Sequence, residues 1–97
     1  MITGKQRSYL KGIANTIDPI FQLGKNGITE NFISQIDNAL KAREIIKVNV
    51  LKNCELDPTE TASMLAEKLD AEFVQSIGRK FVLYRQSEEN QTIILPK

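Results

Sequence analysis

A chain of 97 residues, 41% of them hydrophobic, suffices for one domain with a modest core. Thirteen Lys/Arg against twelve Asp/Glu leave a formal charge of +1, so bulk charge does not nominate a polyanion as partner. No apolar run approaches the roughly 20 residues of a membrane helix. The first residues, Met1-Ile2-Thr3-Gly4-Lys5, lack the apolar centre of a signal peptide. Cys54 stands alone, which excludes an internal disulfide and fits a reducing, cytoplasmic compartment. Histidine is absent, removing the usual general base near neutral pH and the commonest metal ligand.

The charge is unevenly spread. Residues 1–54 hold eight Lys/Arg and four Asp/Glu, a balance of +4, while residues 55–97 hold five and eight, a balance of −3. The first half can thus present a basic pole although the whole is nearly neutral.

Taken in order, Thr3 is an N-cap for a helix over about residues 4–16, with Tyr9, Leu10, Ile13, Ala14 and Ile17 on one apolar face. Lys5, Arg7 and Lys11 flank that face, and Arg7 and Lys11, four residues apart, repel slightly on a solvated helix but would jointly attract an anion. Gly12 weakens this helix and suggests a close contact. Asp18-Pro19 ends it and leads into a strand at Ile20-Phe21-Gln22-Leu23. The turn Gly24-Lys25-Asn26-Gly27 follows, and Thr29 caps a second helix over about 30–43, with Phe32, Ile33, Ile36, Ala39 and Leu40 inward.

Strand, Gly-Lys-Asn-Gly, helix is a plausible seat for a nucleic-acid backbone. Glycine lets a backbone approach a ligand closely, and a helix N-terminus offers free amides and partial positive charge. The arrangement is like the GXXG loop of KH modules. The plainer reading is a strand-to-helix turn that wants glycine for itself, and Glu30 in the first helical turn already complements the dipole. A Walker loop is excluded, because Asn26 stands where Ser or Thr should follow the lysine.

Residues Ile45 to Leu51 alternate as a β-branched strand, and strand–helix–strand with a short turn implies a right-handed parallel unit. Asp57-Pro58-Thr59-Glu60 starts a third helix that runs to about Leu69, with Ala62, Leu65, Ala66 and Leu69 inward and acidic surroundings. Residues 72–77 and 80–85 form two strands joined by Gly78-Arg79, a two-residue type II′ turn that puts Arg79 and Lys80 at an exposed tip. Residues 86–97 form a tail, disordered or docked through Ile93, Ile94 and Leu95. No catalytic constellation is found. Tyr9 and Tyr84 could stack on bases, or be half-buried aromatics on amphipathic elements.

The element order is α-β-α-β-α-β-β, a compact single α/β domain with a four-stranded mixed sheet. Four motifs resemble the bacterial YhbY family, the stand-alone form of the CRM (chloroplast RNA splicing and ribosome maturation) domain. They are Thr3-Gly4-Lys5-Gln6-Arg7 with Tyr9-Leu10, then Leu23 to Thr29, then Ile46-Lys47-Val48, and then Ile77-Gly78-Arg79-Lys80 with Val82-Leu83-Tyr84-Arg85. The resemblance covers residues 1–85 and leaves 86–97 as a tail. It implies a fold similar to the C-terminal domain of a bacterial translation initiation factor, RNA binding, and association with large ribosomal subunit precursors during ribosome biogenesis. It implies RNA contacts at Gly24, Lys25, Asn26 and Gly27, with Lys5, Arg7 and Lys11 on the first helix and Arg79 and Lys80 on the hairpin. A monomer without cofactor, metal, membrane or small-molecule substrate is expected. The alternative is a protein-interaction module that reaches the ribosome through a ribosomal protein. A small nucleotide hydrolase is disfavoured by the missing His, Walker pattern and paired carboxylates.

Overall fold

The sheet is built from β1 (Phe21–Leu23), β2 (Ile45–Val50), β3 (Glu72–Ile77) and β4 (Lys80–Tyr84), in spatial order β1-β2-β4-β3. The helices are α1 (Gly4–Ala14), α2 (Glu30–Arg43) and α3 (Pro58–Lys68). The computed structural model describes residues 2–97. The element order and the mixed sheet are those expected from the sequence. β1 and β2 are parallel, pairing Phe21 with Val48 and Leu23 with Val50, and β4 runs antiparallel to both β2 and β3.

Each helix begins where its cap predicts. Thr3 and Gln6 form a reciprocal capping box, Thr29 accepts from Phe32 N, and Asp57 accepts from Glu60 N ahead of Pro58. α1 is shorter than expected, ending at Ala14 with Asn15 as C-cap. Gly12 marks no close contact, since a Cβ built there would meet nothing within 4 Å.

The sheet carries a core on each face, which the strand alternation dictates. On one face Ile46, Val48, Val50, Phe81 and Leu83 pack with Ile36 and Leu40 of α2 and Ala62 and Leu65 of α3. On the other, Ile45, Val74, Val82 and Tyr84 pack with Leu10 and Ala14 of α1. Tyr84 is therefore a core residue rather than a base platform, while Tyr9 lies on the outer side of α1, 46% exposed.

The tail joins the second core through Ile93 and Leu95. Its anchor is Glu44, at the C-terminus of α2, whose side chain is fully buried. One carboxylate oxygen accepts from Ser87 N at 2.8 Å, and the other from Thr92 N at 2.6 Å and Ile93 N at 2.9 Å. Glu44 adopts φ +66°, a conformation that favours glycine. Its side chain explains why glycine is not used there. Burial by itself would raise the Glu44 pKa, but the amides of Ser87, Ile93 and Thr92 outweigh it and hold the group below its ordinary 4.5. Arg85 adds a second clamp, with Nη1 bonding Leu69 O at 2.8 Å and an Asp37 carboxylate oxygen at 2.8 Å.

A carboxylate with a depressed folded pKa contributes stability that is present above its unfolded pKa of 4.5 and is lost as pH falls through the lower folded value. Glu44→Gln removes the charge and turns an amide donor toward donors. It should lower stability by about 2 kcal/mol at neutral pH and Tm by roughly 8–16 °C. The gap between variant and parent should narrow on acidification below pH 4.5. Thermal melts across pH check this; a pH-independent gap refutes it.

Candidate nucleic-acid interface

Strand direction decides what meets what. β1 and β2 are parallel and β4 is antiparallel, so the C-terminal ends of β1 and β2 lie beside the β3–β4 turn. Three loops converge there: Gly24–Gly27 after β1, the β2–α3 loop, and Gly78-Arg79. Leu51 N donates to Leu23 O at 2.9 Å, tying the first two together.

The glycine loop is a four-residue turn closed by Gly27 N donating to Gly24 O at 2.9 Å. Gly27 needs to be glycine, because its φ is +65°. Gly24 does not. Its φ is unexceptional, and a Cβ built on it would stand 3.5 Å from Leu51 Cδ1, an ordinary contact. Lys25 and Asn26 at the tip are exposed. Beyond them Thr29 caps α2, and the first helical amides point out of the helix toward the loop. Lys25, Asn26, Ile28, Asn53, Leu56 and Met64 line an open cleft of about 940 Å³ beside the loop, with Glu55 as its acidic member. The loop's other side meets Gln22, Asn31 and Gln35.

Arg79 is a builder of this end of the molecule. Its Nε donates to Val50 O at 2.8 Å, and its Nη2 donates to Leu51 O at 2.9 Å and Cys54 O at 3.2 Å. The guanidinium thus closes the end of β2 and holds the β2–α3 loop against the sheet. The positive φ at Gly78, +60°, alone in the turn, fits the predicted hairpin. Lys80 is exposed opposite Asn49. Lys52 adds an exposed cation at the same end, a lone charge with no pattern around it in the sequence to single it out.

The basic residues of α1 lie elsewhere. Ile2 N donates to Glu72 Oε1 at 2.8 Å, and Arg7 Nε donates to Phe73 O at 3.2 Å, so α1 starts beside the first residues of β3. The hairpin is at the other end of that six-residue strand, roughly 17 Å away at about 3.3 Å per residue. The glycine loop therefore groups with Arg79 and Lys80, whereas Lys5 and Arg7 sit at the opposite end of the sheet. Lys11, exposed, lies about one helical turn past Arg7 toward Asn15, which borders the hairpin's surroundings.

The family model for the CRS1/YhbY (CRM) domain matches residues 2–85. This chain belongs to the CRM family. "Probable RNA-binding protein YqeI" of Bacillus subtilis is 49% identical to it over 96 residues, 99% of this chain and 100% of the relative. An "RNA-binding protein" of Haemophilus influenzae is 38% identical over 96 residues, 99% and 96% of the two chains. The solution structure of a Staphylococcus aureus protein, SAV1595, matches with a TM-score of 0.82 at 54% identity, covering 99% of this chain and 100% of that one. The CRM match ends at Arg85, so the residues that Glu44 gathers from the tail lie beyond it.

Because one strand carbonyl and two loop carbonyls depend on one guanidinium, Arg79→Lys should destabilise the fold by about 1 kcal/mol, lowering Tm by roughly 4–8 °C. Amide exchange in residues 51–54 should quicken. An unchanged melt and unchanged exchange would show that the guanidinium is dispensable to the loop.

Proposed function

We propose that this CRM protein is a non-enzymatic, monomeric RNA-binding protein of the cytoplasm that associates with large ribosomal subunit precursors and assists their assembly. It contacts RNA through the Gly24-Lys25-Asn26-Gly27 loop and the neighbouring Arg79 and Lys80. The observation that carries the site is Gly24. The protein's own geometry leaves room for a side chain there, so a bare backbone at that point serves a ligand that must come close. Lys25 supplies a charge at the tip, and the α2 amides supply donors. Lys5, Arg7 and Lys11 enter this reading as a separate, weaker contact for an RNA long enough to reach α1. The names of the relatives support RNA as the ligand class.

Gly24→Ala separates a turn from a clamp. The variant should melt within about 0.5 kcal/mol of the parent, while its affinity for single-stranded RNA falls at least roughly tenfold. Roughly five phosphate contacts to a single strand give the parent a log–log salt slope near −3.5. Parent-like RNA binding by Gly24→Ala would reduce the loop to a turn, and a slope near zero would remove the phosphate clamp.

The ribosomal part of the proposal is tested on sucrose gradients of cell lysate. The protein should sediment with large-subunit precursors and leave them as salt is raised. Sedimentation only at the top of a low-salt gradient that contains immature particles would overturn it. Binding to the particles but not to protein-free ribosomal RNA would favour contact through a ribosomal protein instead.

A further inference from the structure

α1 crosses one face of the sheet without covering all of it. Toward the hairpin that face carries an open groove of about 400 Å³, bordered by Asn15, Lys47, Asn49, Gln75, Ile77 and Lys80. Its lining holds cations and amides and no carboxylate. Lys47 is half-buried and fixed, its Nζ donating to Ile17 O at 2.9 Å. Ile77 is 63% exposed, an apolar side chain at the rim.

Two of these residues owe their place to an irregularity in β3. Phe73 pairs with Leu83, yet Gln75 pairs with Val82, so Val74 is an extra residue in the ladder. Strict alternation from Phe73 would send Gln75 and Ile77 to the α2–α3 face. The bulge shifts the register by one, so that Gln75 shares a face with Val82 and Ile77 with Lys80. Bulges of this kind re-aim side chains beside functional surfaces. On β2, Lys47 and Asn49 alternate with the apolar Ile46, Val48 and Val50, which places both on the same side as Gln75.

We infer that this groove is a second RNA surface, entered by a single strand that leaves the glycine loop and passes the hairpin tip. Lys47 and Lys80 meet its phosphates, and Asn49 and Gln75 meet its base edges. Amides suit that task because each offers both donors and an acceptor, and base edges are open to such groups only in an unpaired strand. The absence of carboxylates on the lining, with Lys47 and Lys80 bordering it, favours a polyanion. The inference rests on the RNA-binding reading above and extends it from the loop to the sheet.

The test uses the full chain and two single-stranded RNA oligonucleotides of about four and about twelve nucleotides, spanning the range of site sizes of small single-strand-binding domains. The double variant Asn49→Asp, Gln75→Glu is nearly isosteric and sets two carboxylates beside Lys47 and Lys80. On the short oligonucleotide, which reaches Lys80 but not Lys47, it should lose only about twofold. On the long one it should lose about tenfold in affinity, and its salt slope should become about 1.4 less negative, as for two lost phosphate contacts. Ile77→Asp, at an exposed position, brings one carboxylate to the same groove without disturbing the core. It should show the same length dependence even where the double variant fails to fold.

Parent-like binding of the long oligonucleotide by the folded variants overturns the inference while leaving the glycine-loop reading intact. Loss on the long oligonucleotide in these variants, with Gly24→Ala parent-like on both, upholds the groove and overturns the loop. No binding of either RNA by the parent overturns both.

Discussion

The parallel pairing of β1 with β2 is the constraint on which the convergence of the three loops depends. Only three residue pairs make it, from Phe21–Val48 to Leu23–Val50. Yet it sets the direction of β1, and with it the end of the sheet from which the glycine loop projects. The antiparallel return of β4 then delivers the hairpin to the same end. Arg79 fastens the assembly by bonding the last carbonyl of β2 and two carbonyls of the β2–α3 loop. A loop displayed on such a frame has its backbone fixed before a ligand arrives, which reduces the ordering that binding would otherwise require.

Much of the framework was legible in the residues. Thr3, Thr29 and Asp57 announced three helices, the β-branched run from Ile45 announced β2, and Gly78-Arg79 announced the hairpin. These signals are local, since a cap or a turn acts within a few residues of itself. What escaped was side-chain employment across long sequence separations. Arg79 looks like a solvated tip residue until Val50, Leu51 and Cys54, 25–29 residues earlier, are placed beside it. Arg7 reads as a basic flank until the Phe73 carbonyl is found within its reach. The bulge at Val74 was hidden for a different reason. Period-two alternation cannot reveal a one-residue slip in a strand whose two faces both receive apolar side chains.

Glu44 shows how a chemically unlikely residue can be right. At φ +66° a glycine would relieve the backbone, and a buried carboxylate ordinarily carries a desolvation penalty. Three amides and a hydroxyl from residues 87–93 converge on it and replace the water it has lost. The tail is thereby held by a charge at one point and by Ile93 and Leu95 at another, so its twelve residues need neither helix nor strand to be ordered.

The hydrogen bond from Gln6 Nε2 to Pro96 O, 3.0 Å, brings the last residues of this chain against the start of α1. The segment between them thus closes on itself. A short link between two points already in contact strains the folded backbone little, so residues 6–96 are suited to circular permutation, with new ends cut in an exposed loop. The junction lies beside the first residues of β3, at the pole remote from the glycine loop. A tether or a surface attached there would leave the three converging loops facing solution.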